Sequence, residues 1–256
     1  MSQSARLFRT STHLAVMSLL TAATAQAGFV TWSTPKAITG DADVSVDGTL
    51  VVAHNLGTFD NGAATVHGVT FTPFVTSTTS NTVGNVTLSS SAAIAGDNFA
   101  FGEIVGPFAD LSANYQTLLQ SGSFTTGDFP PPTISMTLGG LIPGAQYQFQ
   151  WWANQAATSN FGPPPPISAT IATAGNSVSL ERTGNVPGGV GQYALGVFTA
   201  TAASQTIAFD GTDSRVLLNA FQLRQLGAPA VPEPGSMLFG LAMTGFVFHS
   251  ASKRRR

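Results

Sequence analysis

Gln146-Tyr147-Gln148-Phe149-Gln150-Trp151 alternates polar and aromatic residues without a break. A period of two belongs to a β-strand, whose successive side chains point to opposite faces. Tyr147, Phe149 and Trp151 are therefore expected on one face and the glutamines on the other. The reading extends outward from there. Thr49 to Asn55 follows the turn signal Asp47-Gly48, and Val66 to Phe74 places Val69 and Phe71 on one face. Tyr193, Leu195 and Val197 alternate, and Ile207 and Phe209 share a face. Arg215 to Leu226 reads as one long last strand, apolar on both faces near Leu217 and Leu218. The Ser/Thr-rich stretch Thr76 to Ser91 is expected to be an exposed strand-loop region, mobile or glycosylated. Convincing helical spacing occurs at Leu111, Tyr115, Leu118 and Leu119, with Asp110 as the N-cap. Many strands, turn-rich connections and one short helix predict an all-β fold: a single jelly-roll-like β-sandwich over residues 28–227. No fixed-period repeat supports a propeller or β-helix.

Composition narrows the function. Of 256 residues only 22 are charged, or 9%, against about 25% in an ordinary soluble domain. A hydrophobic share of 43% at net charge −2 excludes a polyelectrolyte-type disordered chain and offers no basic footprint for nucleic acid. Six of the ten basic residues sit at the two ends. Between Gly28 and Ala230 only Lys36, Arg182, Arg215 and Arg224 face eleven acids, a net of −7. An acidic body between basic ends suggests terminal segments that meet a membrane.

Residues 1–27 have the form of a signal peptide. Arg6 and Arg9 precede a short apolar run from Leu14 to Leu20, and Ala25-Gln26-Ala27 fits the small-x-small rule, with cleavage after Ala27. The alternative, an N-terminal membrane helix, needs about 20 apolar residues. Cysteine is absent, so no disulfide supports the body and its core must suffice.

Residues 228–256 contain three parts in order. Val231-Pro232-Glu233-Pro234 favours an extended form suited to a protease or receptor groove. Gly235 to Phe248 is apolar, and Lys253, Arg254, Arg255 and Arg256 form a basic tail that the positive-inside rule keeps cytoplasmic. This segment resembles the PEP-CTERM protein-sorting domain of Gram-negative bacteria. The resemblance implies that Pro232, Glu233 and Pro234 are recognised by exosortase, a membrane-embedded cysteine protease, and that this chain is its substrate. It also implies export through an inner-membrane intermediate to the cell surface or extracellular matrix, in association with extracellular polysaccharide. One departure is the length of the apolar run: about 14 residues span roughly 21 Å of a ~30 Å hydrocarbon core. The alternative is a tail anchor that is never processed.

The body resembles bacterial surface proteins with jelly-roll, galactose-binding-like sandwiches. The matching pieces include Ile38 to Val44, Gly68 to Phe71, Leu141 to Tyr147, Gln192 to Phe198 and Leu218 to Arg224. This resemblance implies a fold and hardly a function.

No catalytic motif emerges from the body, and a non-enzyme is expected. There is no thiol, no Gly-x-Ser-x-Gly and no His-Glu-x-x-His, and only His54 and His67 remain, both in expected strands. Asp41, Asp43 and Asp47 form one Asp-rich loop, and Asp210 and Asp213 another. Their hard oxygens suit Ca²⁺. Asp47-Gly48 and Asp210-Gly211 are also turn signals in their own right, and no other cofactor is implied. Trp151 and Trp152 face opposite sides of one strand, which makes Trp152 the candidate glycan contact unless both faces are covered. The proline-rich stretches Phe129 to Pro132 and Phe161 to Pro166 are expected to be stiff spacers. A structural or adhesive matrix protein leads, a carbohydrate-binding module is second, and a hydrolase using two aspartates is third.

Overall fold

The computed structural model describes residues 28–58, 62–126, 130–156, 168–182, 187–213 and 215–227. Ala25, Ala27, Pro232 to Pro234, the two flanking apolar segments, the tail Lys253 to Arg256 and the stretch Phe161 to Pro166 lie outside them.

In chain order the strands begin with β1 (Thr31–Trp32), β2 (Lys36–Ala37), β3 (Thr49–Gly57), β4 (Ala64–Val66) and β5 (Val69–Val75). Next come β6 (Ser80–Val83), β7 (Val86–Ser89), β8 (Ala95–Asp97) and the helices α1 (Gly106–Ala109) and α2 (Ala113–Gln120). Then follow β9 (Gly122–Thr126), β10 (Ile134–Gly139), β11 (Gln146–Ala153), β12 (Ala169–Ala174) and β13 (Asn176–Glu181). The last are β14 (Gln192–Thr199), β15 (Ser204–Gly211), β16 (Arg215–Leu218) and β17 (Ala220–Gly227). A large sheet runs β1-β14-β11-β17-β3-β5-β4, with β2 also on β14. A second runs β13-β12-β15-β10-β7-β6, and a small one β16-β9-β8.

The two larger sheets face each other as the layers of a β-sandwich. Phe74, Phe149, Trp151, Phe198 and Phe221 from one meet Leu88, Met136, Leu180, Ile207 and Phe209 from the other. Trp151 stands edge-on to Phe209 with ring centroids 5.1 Å apart. The outer face of the large sheet is covered too. Phe71, Trp152, Tyr193 and Ala220 pack there beneath Ile38, Val44, Phe108, Leu111 and the α2 residues Tyr115, Leu118 and Leu119. With both faces covered, β11 is buried from Tyr147 through Ala153.

Several expected elements differ in detail. The helix begins at Ala113, and its N-cap is Ser112, whose hydroxyl accepts from the Tyr115 amide; Asp110 instead ends α1. The run Val66 to Phe74 is folded back at His67-Gly68, both at positive φ, so His67 lies in a turn. The long last strand is broken at Asn219, which sends β16 to the small sheet and β17 to the centre of the large one. In β14 the sandwich core is entered by Ala194 and Phe198, while Leu195 and Val197 are half-buried. Residues 80–89 form a paired hairpin of the second sheet, with Val86 and Leu88 buried.

Candidate functional site

Four of the five candidate aspartates are occupied by local structure. Asp43 accepts from the Thr39 amide (2.6 Å), the Thr39 hydroxyl (2.8 Å) and the Gly40 amide (3.0 Å), closing the turn 39–43. Asp41 accepts from Ser112 Oγ at 2.6 Å, which places a carboxylate beside the N-terminus of α2. Asp210 accepts from Thr133 Oγ1 at 2.5 Å. Asp213 pairs with Arg182 at 2.6 Å and accepts from the Arg215 amide. Asp47 contributes its backbone carbonyl to Arg224. Among the described residues no three His, Cys, Asp or Glu side chains come together as a metal group.

Trp152 is fully buried, so it offers no surface to a glycan. Its Nε1 donates to Tyr115 Oη at 2.9 Å, and Phe71 stands edge-on at 5.6 Å. The outer face of β11 is capped by α2, because Tyr115 and Trp152 are each too large to leave a gap between helix and sheet. Burial, with Asp43 adding to it, raises the Tyr115 phenol well above its ordinary range, which keeps it neutral.

Alternation alone misses three buried polar assemblies. The first lies on the outer face of the large sheet, where β11 and β17 pair Gln150 with Gln222. Gln150 Nε2 donates to the Asp43 carbonyl at 2.7 Å, and its Oε1 accepts from the Ser45 amide at 2.9 Å. Gln222 Nε2 donates to the Ser45 carbonyl at 3.0 Å and to Gln150 Oε1 at 2.6 Å. Arg224 donates to the carbonyls of Val46, Asp47 and Gly48 at 2.7–3.0 Å. Two amides and a guanidinium thus hold the strap 43–48 against the sheet. The second is Asn154 with Asn219, both fully buried, which tie β11 to the carbonyls after α2 and to Phe101. The third is Arg182, fully buried, with Asp213 on one side and the Arg215 carbonyl on Nη1 at 3.0 Å. Burial lowers its pKa, and Asp213 opposes that shift. These ties join segments distant in sequence, although Arg182 Nε has no hydrogen-bond partner, and none places a nucleophile beside a base.

The described residues form an open groove of about 660 Å³. Gly28, Phe29, Thr31, Gln146 and the β14 end Val197 to Thr199 line it, with Thr201. Phe29 is 64% exposed and rests against Gly175, where a Cβ would collide with its ring. An exposed aromatic beside threonine hydroxyls and a glutamine amide is a surface that a polar ring-shaped ligand can stack on and hydrogen-bond to. Residues so far apart in sequence form no motif.

No family model and no curated protein matches the chain. Among solved structures it is similar to the enzymatically active domain of bacteriophage CBA120 tailspike protein 4. That match has 13% identity and a TM-score of 0.33, covering 56% of this chain and 20% of the tailspike chain. It is also similar, at 15% identity and a TM-score of 0.16, to a structure described for carbohydrate-binding modules of the β-sandwich superfamily, covering 76% of this chain and 99% of that one. With TM-scores below 0.5, neither neighbour assigns a ligand to this chain.

Proposed function

We propose that this is an exported protein of the cell surface or extracellular matrix, sorted by an exosortase-type system, whose sandwich is a structural or adhesive body and not an enzyme. The sequence Pro232-Glu233-Pro234, followed by an apolar run and the basic cluster Lys253 to Arg256, carries the reading. The apolar run holds the chain in the inner membrane before processing, and the partner at that stage is exosortase. The three internal polar ties support a body that keeps its shape outside the cell without a disulfide. The test fuses residues 231–256 to an exported reporter in cells with and without exosortase. A shorter product released from the membrane only with the enzyme is expected. Identical size and fraction in both strains would sink the proposal.

The second reading is carbohydrate binding, favoured by the groove around Phe29 in place of Trp152. Extracellular polysaccharide is the ligand it proposes. A pulldown with matrix polysaccharide should retain the protein and lose it on Phe29→Ala; equal retention of both would remove this reading.

A further inference from the structure

A second opening, of about 300 Å³, lies between the two large sheets where β3 begins. Val52 and Leu223 from the large sheet, with Val83, Val86 and Leu138 from the second, give it an aliphatic wall, and the exposed turn Gly84-Asn85 with Gly139 adds polar groups to its lining. His54, only 5% exposed, is the ionisable side chain that lines it. The ring is held in one orientation. Phe74 and Phe221 stand edge-on to it, with centroids 5.3 and 5.5 Å away.

Nδ1 of His54 lies 3.1 Å from the Thr72 carbonyl and 3.0 Å from Thr72 Oγ1. A carbonyl oxygen only accepts, so assigning the Nδ1 hydrogen to it leaves the neutral ring's lone pair on Nε2. Thr72 Oγ1 accepts in that arrangement, with its own hydrogen directed to the Ala53 carbonyl at 3.3 Å. Burial lowers the His54 pKa, which favours this neutral form. In that tautomer Nε2 is the ring's remaining acceptor, on a residue that lines the opening.

We propose that this cleft binds a small, mainly apolar molecule with one hydroxyl, of the phenol or branched-alcohol class, which lies against the aliphatic wall and donates its hydroxyl hydrogen to His54 Nε2. The size fits: about 150 Å³ is enough for benzene, so about 300 Å³ holds a ring with a short substituent. The site is separate from the Phe29 groove and from the sorting segment, so it stands or falls independently of both.

The test titrates the intact chain, ¹⁵N-labelled in its histidine rings, with phenol and with toluene, which differ by the hydroxyl. The His54 signals are assigned through its contacts with the Phe74 and Phe221 rings. Before ligand is added, the hydrogen should reside on Nδ1; a hydrogen on Nε2 overturns the proposal. Phenol should shift Nε2 while leaving Nδ1 in place, and should bind about tenfold more tightly than toluene. Val83→Trp, at the half-buried mouth, should abolish the shift while the melting curve stays cooperative. A phenol titration that leaves His54 unmoved, equal affinity for toluene, or a shift that persists in Val83→Trp each overturns it.

Discussion

Replacing Asn219 by leucine keeps the side-chain size and removes its polarity. The position is fully buried at the break between β16 and β17. Its Nδ2 donates to the carbonyls of Leu119 (2.9 Å) and Ser121 (2.8 Å), and its Oδ1 accepts from the Asn154 amide at 2.6 Å. Asn219→Leu leaves the Asn154 amide and the Ser121 carbonyl without this partner, and the Leu119 carbonyl with only a long 3.5 Å contact from Asn154 Nδ2, in a place water does not reach. An orphaned buried group costs about 1–3 kcal/mol, and three neighbours relax together, so the expected loss is about 3–5 kcal/mol. For a domain of this size that lowers Tm by about 10 °C. Urea denaturation followed by tryptophan fluorescence reads the loss directly. Asn219→Asp sharpens the test. One oxygen keeps the Asn154 amide, but the other confronts two carbonyls and must hold a proton. The folded-state pKa is thereby raised above about 3.9, so stability is retained at low pH and lost as pH rises through the raised value. Losing less than about 1 kcal/mol in Asn219→Leu, with no pH dependence gained in Asn219→Asp, would refute the idea that this amide joins the sheets.

Other perturbations separate the remaining ties. Arg224→Met should cost less, about 1.5–3 kcal/mol, because the exposed strap can turn its carbonyls to water; faster hydrogen exchange at the Ser45 amide is the local readout. His54 has a folded pKa below 6.5, so the unfolded chain binds its proton first. Stability should fall as pH drops below about 6.5, and denaturant melts of His54→Gln should lack this step. A Cβ at Gly196 would lie 2.5 Å from Val30 and 2.6 Å from Trp32, so Gly196→Val should displace β1 and raise protease sensitivity ahead of Thr34. EDTA should leave Tm unchanged, since Asp41, Asp43, Asp210 and Asp213 already accept hydrogen bonds within the chain.

Period-two alternation was legible wherever a strand is buried on at least one face, as at Tyr147, Phe149 and Trp151 or at Ile207 and Phe209. It was silent on whether the opposite face meets water. The adjacent Trp151 and Trp152 were the available sign, since two indoles on opposite faces of one strand need cover on both. Gln150 and Gln222 look like solvent-facing residues, and only the strap that crosses them makes them interior. The break at Asn219 is invisible to hydropathy, because apolar residues continue on both sides of a buried amide. His67 shows the same limit of pattern reading: a turn at positive φ sits inside an apolar run, marked by the following glycine alone. The groove and the cleft escape sequence reading because their residues meet across β-pairings from about 50 to about 170 positions apart.

The place of β17 has a kinetic consequence. The last described strand lies in the middle of the large sheet, antiparallel to β11 on one side and β3 on the other. Without it, β1-β14-β11 and β3-β5-β4 are two separate pieces, each with a raw edge. A chain emerging from its N-terminus therefore cannot close the sheet until residue 227 has appeared. The large sheet thus closes late, through non-local pairings that form slowly.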